Sequence, residues 1–85
     1  MNKLDYNTAR YEFYLWHDSH GRTFSSTLYD LIPKADIDNR HRIAIGFPHH
    51  VKVWMDWMTS DSPHDYLEAC KNALKEEDND VKEII

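Results

Sequence analysis

The three prolines most constrain what this chain can fold into, because each of them marks a helix boundary. Proline fixes φ near the helical value and lacks an amide hydrogen, so it suits the first turn of a helix and interrupts the interior. Pro63, in the run Ser62-Pro63-His64-Asp65, gives the clearest helix start, with Ser62 as N-cap. Pro48 predicts a second start. Pro33 predicts the end or a kink of an earlier helix that begins after Thr23 as N-cap.

The apolar residues between these boundaries recur at the three- and four-residue spacing that is typical of amphipathic helices. Phe24, Leu28 and Leu31 follow it, and so do the apolar residues behind Pro48 and Pro63. The sequence therefore predicts an all-α fold, a small bundle of about five short helices. We expect these helices near residues 7–20, 23–33, 38–47, 48–59 and 62–77, with a core that includes Leu28, Leu31, Trp54 and Leu74.

Two stretches leave helix and strand both open. Residues 11–15 alternate between apolar and polar positions like a strand, yet they also fit a helix that begins after Asn7 or Thr8. Residues 43–47 alternate as well, yet they also fit a short helix with Asp38 as N-cap. We favour helix for both. If both were strands, the fold would be α+β with a small antiparallel sheet.

Length and composition favour one domain without covalent cross-links. The chain has 85 residues, 41% of them hydrophobic, which is enough to close one small core. We expect a single globular domain over residues 1–77 and an acidic, flexible tail over residues 78–85. Cys70 is the only cysteine, so an internal disulfide and a Cys-rich zinc site are excluded. The sequence shows neither a secretory signal nor a membrane-spanning apolar run, and we expect a cytoplasmic protein.

The acidic excess lies in the C-terminal third of the chain. Residues 60–85 contain eight carboxylates and three lysines, which accounts for the whole net charge of −5. Binding to duplex nucleic acid normally needs clustered lysine and arginine side chains that displace phosphate counterions. A neutral body with an acidic end therefore disfavours a duplex-binding surface.

Few residues are candidates for chemistry. His17 with His20, and His49 with His50, are the possible metal ligands in a chain with six histidines. His49 and His50 are adjacent, and adjacent side chains on a helix point about 100° apart, so they would rarely bind one ion together. His17 and His20 stand beside a predicted turn. We therefore expect both pairs to be surface histidines without a bound metal or cofactor. Cys70 lies on the inward stripe of the last helix and is expected to pack as a small hydrophobe. Without a nucleophile elbow or a glycine-rich phosphate loop, we expect no enzymatic activity.

One pattern in the middle of the chain suggests an origin. It consists of Ala35-Asp36-Ile37-Asp38-Asn39, then Phe47-Pro48 and Val51, then the Trp54/Trp57 pair. Over residues 24–57 the chain thereby resembles small uncharacterised helical proteins encoded by bacteriophages and integrated elements. The resemblance implies a helical fold and a mobile-element origin, and it brings no catalytic residue with it. Pro33 and the strand-like run at residues 43–46 depart from the pattern, which leaves the middle helix open.

Together these observations predict a small non-enzymatic protein-interaction module, encoded by a phage or mobile element, that modulates or inhibits a host or defence protein. Trp57 and Tyr66 are expected to supply aromatic contact area, because these residue types dominate interface hot spots. Exposed carboxylates would steer a basic partner surface during encounter. The candidates for that role are Asp61, Asp65, Glu68, Glu76, Glu77 and Asp78.

Two other functions remain open on the sequence alone. The first is a nucleic-acid-linked regulator or DNA mimic. In that case the acidic end imitates phosphates, or a helix-turn-helix carries a modest basic patch of Lys34, Arg40, Arg42 and Lys52. The second is a small enzyme that depends on a metal or on Cys70.

Overall fold

The computed structural model describes residues 3–75 as five α-helices with one 3₁₀ turn. The helices are α1 (Lys3–Ser19), α2 (Phe24–Leu31), α3 (Ile37–Gly46), α4 (Pro48–Thr59) and α5 (Pro63–Lys71), and the 3₁₀ turn Ile32–Lys34 follows α2. Residues 3–75 contain no strand, so the all-α prediction is confirmed and the α+β alternative is wrong. Within this part of the chain no helix is long and apolar enough to cross a membrane.

The first helix begins earlier than predicted, at Lys3 instead of near residue 7. Asn7 had been a candidate for its start because asparagine often caps helices. Instead Asn7 is buried within α1, and its Oδ1 accepts a hydrogen bond of 3.0 Å from Arg10. The helix ends at Ser19, and His20 takes a positive φ of 48° that turns the chain toward α2.

The starts of α2 and α3 show how side-chain caps set the helix boundaries. Thr23 caps α2 as predicted, since its hydroxyl accepts a 3.1 Å bond from the Ser26 amide. The cap of α3 is Asp36, whose carboxylate accepts a 2.8 Å bond from the Asn39 amide. The prediction of Asp38 at this position was wrong by two residues. Two aspartates two residues apart compete for the cap, and the spacing of apolar residues does not decide between them.

Prolines set the remaining boundaries. Pro33 ends α2 by tightening the chain into the 3₁₀ turn, and Pro48 and Pro63 stand in the first turns of α4 and α5. Ser62 occupies the predicted N-cap of α5, but its side chain makes no capping bond. This helix ends at Lys71, with Asn72 as C-cap, and residues 73–75 are again helical after this turn, so the predicted helix is interrupted at Asn72. Residues 76 and 77, and the predicted acidic tail over residues 78–85, lie outside the described residues.

The core forms around α1, which packs against α2, α4 and α5. Phe13 is fully buried at its centre, with ring centroids 5.1 Å from Tyr29 and 5.5 Å from Trp57. Tyr29 also donates a buried 2.7 Å hydrogen bond to the Ala9 carbonyl, which ties α2 to α1. The buried cluster comprises Ala9, Phe13, Leu28, Tyr29, Ile32, Val51, Val53, Trp54 and Cys70.

The four residues predicted to lie in the core differ in their burial. Leu28 and Trp54 are buried, as predicted, and Leu74 is half-buried. The prediction for Leu31 is wrong, because half of this side chain is exposed. The cause is the orientation of α2: its buried face is centred on Leu28, Ile32 and Tyr29, and Leu31 lies about 100° around the helix from Ile32.

Candidate protein-binding surface

Trp57 is half-buried against the C-terminal half of α1. Its ring lies 5.5 Å from Phe13 and 5.8 Å from His17, centroid to centroid. It packs against the core cluster, so much of its aromatic surface already has contacts within the fold.

Tyr66, the second predicted anchor, packs against the opposite end of α1. Its hydroxyl lies 3.5 Å from the hydroxyl of Tyr6, which donates a 3.0 Å bond to Asp56. Lys52 donates to the same carboxylate at 2.8 Å. Burial, together with the bond to Tyr6, raises the pKa of Tyr66 above its usual value. Because Tyr6 and Phe13 are about two turns apart on α1, the structure does not bring Trp57 and Tyr66 together into one aromatic anchor.

The structure describes three of the six carboxylates that were predicted to steer a partner. Asp61, Asp65 and Glu68 are exposed at the α4–α5 joint and on α5. Glu76, Glu77 and Asp78 lie outside the described residues. An acidic surface is therefore present on α5, and it stands beside helices whose aromatic residues pack inward.

Cys70 is buried, as the apolar stripe of α5 predicts. Burial raises the pKa of its thiol to about 11, although the nearby Arg10 acts in the opposite direction. The thiolate is the reactive form of cysteine, so this side chain is a protonated packing group near neutral pH.

The histidine pairs separate to different partners. His17 lies against Trp57 and His20 lies against Trp16. His50 Nε2 is 3.1 Å from Glu12, whereas His49 Nε2 is 4.0 Å from Asp5. Within residues 3–75 no three histidine, cysteine, aspartate or glutamate side chains are arranged to hold a metal ion.

The four cations of the proposed basic patch also lie on separate faces. Lys52 pairs with Asp56 on α4. Arg40 lies 4.8 Å over the Trp54 ring and donates to the Ala35 carbonyl at 3.1 Å. Lys34 and Arg42 instead line the opposite side of α3, beside α2. A helix-turn-helix patch made of all four is therefore not formed.

An apolar groove lies between α2 and α3, and we call it the α2–α3 groove. It consists of two adjoining spaces of about 280 and 380 Å³, which share Leu31, Arg42 and Ile43 as lining residues. Phe24 is 68% exposed at one end, where its ring centroid lies 5.4 Å from that of Phe47. The complete lining is Phe24, Thr27, Leu28, Leu31, Lys34, Ala35, Asn39, Arg42, Ile43, Gly46 and Phe47.

The groove stays open because α3 contributes little to the core. None of its residues is buried, and it packs mainly on α4. Ile43 packs at the edge of the core while Phe24 and Leu31 leave α2 on the side that faces α3. The sequence carried a signal for this surface that the prediction missed: the apolar stripe of α2, from Phe24 to Ile32, is wider than α1 can cover.

Comparison of the chain with protein-family models, curated proteins and solved structures finds no match.

Proposed function

We propose that this chain is a small non-enzymatic protein-interaction module that binds its partner in the α2–α3 groove. The observation that carries the proposal is the exposure of three large apolar side chains, Phe24, Leu31 and Phe47, around one concave surface. Burying each of them in a partner would contribute about 1.5–3 kcal/mol at full burial. Apolar surface clustered in this way is typical of interaction sites.

The resemblance to proteins of phages and integrated elements extends the proposal to its biological setting. In that setting the partner is a host or defence protein, and the chain modulates or inhibits it. The predicted anchors Trp57 and Tyr66 support this binding less directly, because both already pack against α1.

The test is capture of partners from the native cells with matched variants of the full chain. Leu31→Glu places a charge in the groove, while Leu15→Glu places the same charge on an exposed part of α1 outside it. We expect the partner recovered with the wild-type chain to be recovered with Leu15→Glu and lost with Leu31→Glu. Circular dichroism of both variants establishes that each is folded.

A second variant blocks the groove without removing any contact. A Cβ added at Gly46 meets no atom within 4 Å, and this residue has no positive φ, so Gly46→Leu fits the backbone and adds a large side chain at a position that lines the groove. We expect Gly46→Leu to lose the same partner. A partner retained by both groove variants would contradict the proposal, and retention lost only in Trp57→Ala would move the site to the face predicted from the sequence.

A further inference from the structure

We infer that the α2–α3 groove recognises an amphipathic helix whose apolar residues are accompanied by carboxylates. The inference rests on the proposed function and names the chemistry of the partner. It is carried by the charge of the lining, which is opposite in sign to that of the whole chain.

The charged lining residues of the groove are Lys34 and Arg42, and no carboxylate lines it among residues 3–75. Arg42 donates a 2.7 Å bond to the Asn39 side chain, which holds its guanidinium beside the groove. Three aspartates lie within four residues of Lys34, and none of them lines the groove; Asp38 is exposed on α3. Asp36 caps α3, and Asp30 accepts a 2.8 Å bond from the Trp16 indole. The apolar lining is therefore accompanied by two positive charges, and a partner segment with carboxylates complements it.

Of the two charges, Lys34 lies toward one end of the groove, whereas Arg42 lines both of its spaces. Lys34 lines the space beside Leu31 and Ala35, whereas Phe24 and Phe47 line the other space. The bound segment is consequently expected to carry one carboxylate near its middle for Arg42, another toward the Lys34 end, and large apolar residues toward the Phe24 and Phe47 end.

The dimensions favour a helical segment. Residues 24–34 of α2 and the 3₁₀ turn extend for about 18 Å, the length of a helix of about 12 residues. Phe24 and Leu31 are seven residues apart, about 10 Å along α2, which matches anchors at positions i and i+7 of a docked helix. Strand addition has no template here, because the described part of the chain contains no strand edge.

The test is selection of peptides of about 16 residues from a random phage-displayed library on the full-length chain, with Leu31→Glu as the counter-selection. We expect the enriched peptides to be net negative, with apolar residues at helical spacing. Selection on the double variant Lys34→Glu/Arg42→Glu should enrich net positive peptides instead. Lys71→Glu/Lys75→Glu changes the total charge equally on exposed positions outside the groove, and it should select the same peptides as the wild type.

The dissociation constant of one selected acidic peptide is then measured on the wild type and on both double variants. This constant should rise at least tenfold in Lys34→Glu/Arg42→Glu, and less than twofold in Lys71→Glu/Lys75→Glu. Three results would each overturn the inference. The wild type could enrich neutral or basic peptides, the variant Lys34→Glu/Arg42→Glu could select the same peptides as the wild type, or the enrichment could be the same with Leu31→Glu. The proposed function is tested by a different result: it is contradicted if no partner captured from cells depends on the groove. A groove-dependent partner that docks a basic segment would overturn only the inference.

Discussion

The two sides of this bundle use similar apolar residue types in different ways. Where α1 meets α4 and α5, the half-buried Tyr6 and Tyr66 bring their hydroxyls to 3.5 Å from each other, and Tyr6 donates to the Asp56 carboxylate. Between α2 and α3, Phe24 and Leu31 reach into open space instead. The first arrangement stabilises the fold. The second leaves apolar area available, and this difference is the physical basis for placing binding on one side and stability on the other.

We call the side where α1 meets α4 and α5 the closed side, and the largest expected effect lies at its centre. Phe13 is fully buried and its ring contacts Tyr29 and Trp57. Phe13→Ala should lower the free energy of unfolding by about 3–5 kcal/mol, because it removes a large side chain and leaves a cavity. Urea denaturation followed by circular dichroism measures this change. A loss below about 1 kcal/mol would mean that α1 does not organise the core as described.

Raising the pH probes the same side through its buried protons. Burial raises the pKa of the Cys70 thiol from an ordinary value of 9.0 to about 11, and it raises those of Tyr29 and Tyr66 above 10.0. The unfolded chain therefore releases these protons at lower pH than the folded chain does. The free energy of unfolding should be unaffected by Cys70 below about pH 9, and should then fall by about 1.4 kcal/mol per pH unit until about pH 11.

Urea denaturation at intervals from pH 8 to pH 11 measures this slope. Cys70→Ala is the matched variant, and its curve should stay flatter between about pH 9 and pH 10, before the tyrosines contribute. Equal slopes in the two proteins would show that the thiol is not held in its protonated form by burial.

A smaller effect on stability is expected from the hydrogen bond between Tyr6 and Asp56 on the closed side. Tyr6→Phe removes the hydroxyl that donates to Asp56 at 3.0 Å, and it should lower the free energy of unfolding by about 1–2 kcal/mol. Tyr14→Phe removes a hydroxyl from the same helix and should change stability by about 0.5 kcal/mol or less. Thermal unfolding of both variants compares them, and equal shifts would argue that the bond from Tyr6 to Asp56 contributes nothing beyond the loss of a hydroxyl.

Local signals in the sequence predicted the helices well, and tertiary orientation explains what they missed. Pro33, Pro48 and Pro63 act within one or two residues, so their boundaries could be predicted without the fold. The start of α1 could not, because Asn7 is held inside the helix by Arg10 and by burial. Trp57 was predicted as a binding residue from its type alone. Its contact with Phe13 depends on how α4 crosses α1, which the spacing of apolar residues does not specify.

The groove could be predicted only in part. The sequence placed Phe24, Leu28 and Leu31 on one stripe, and it predicted Leu28 and Leu31 in the core. It did not specify how far α2 rotates to seat Tyr29 against Phe13, and that rotation determines which members of the stripe remain exposed. The positive charges at Lys34 and Arg42 were visible, but their position beside the groove follows from the packing of α3.

A comparison of two leucines on one helix tests this rotation directly, and for Leu31 the expected effect on stability is small. Leu28 is 5% exposed and Leu31 is 50% exposed, although they stand three residues apart on α2. Leu28→Ala should lower the free energy of unfolding by about 2–5 kcal/mol, and Leu31→Ala by about 1 kcal/mol or less, because the second side chain leaves no enclosed cavity. Helix propensity is the same in both changes, so the difference between the urea midpoints reports burial alone. Equal losses would place Leu31 in the core, as the sequence first predicted. Leu31 would then not be exposed in the groove, and the binding proposal would lose one of the side chains on which it depends.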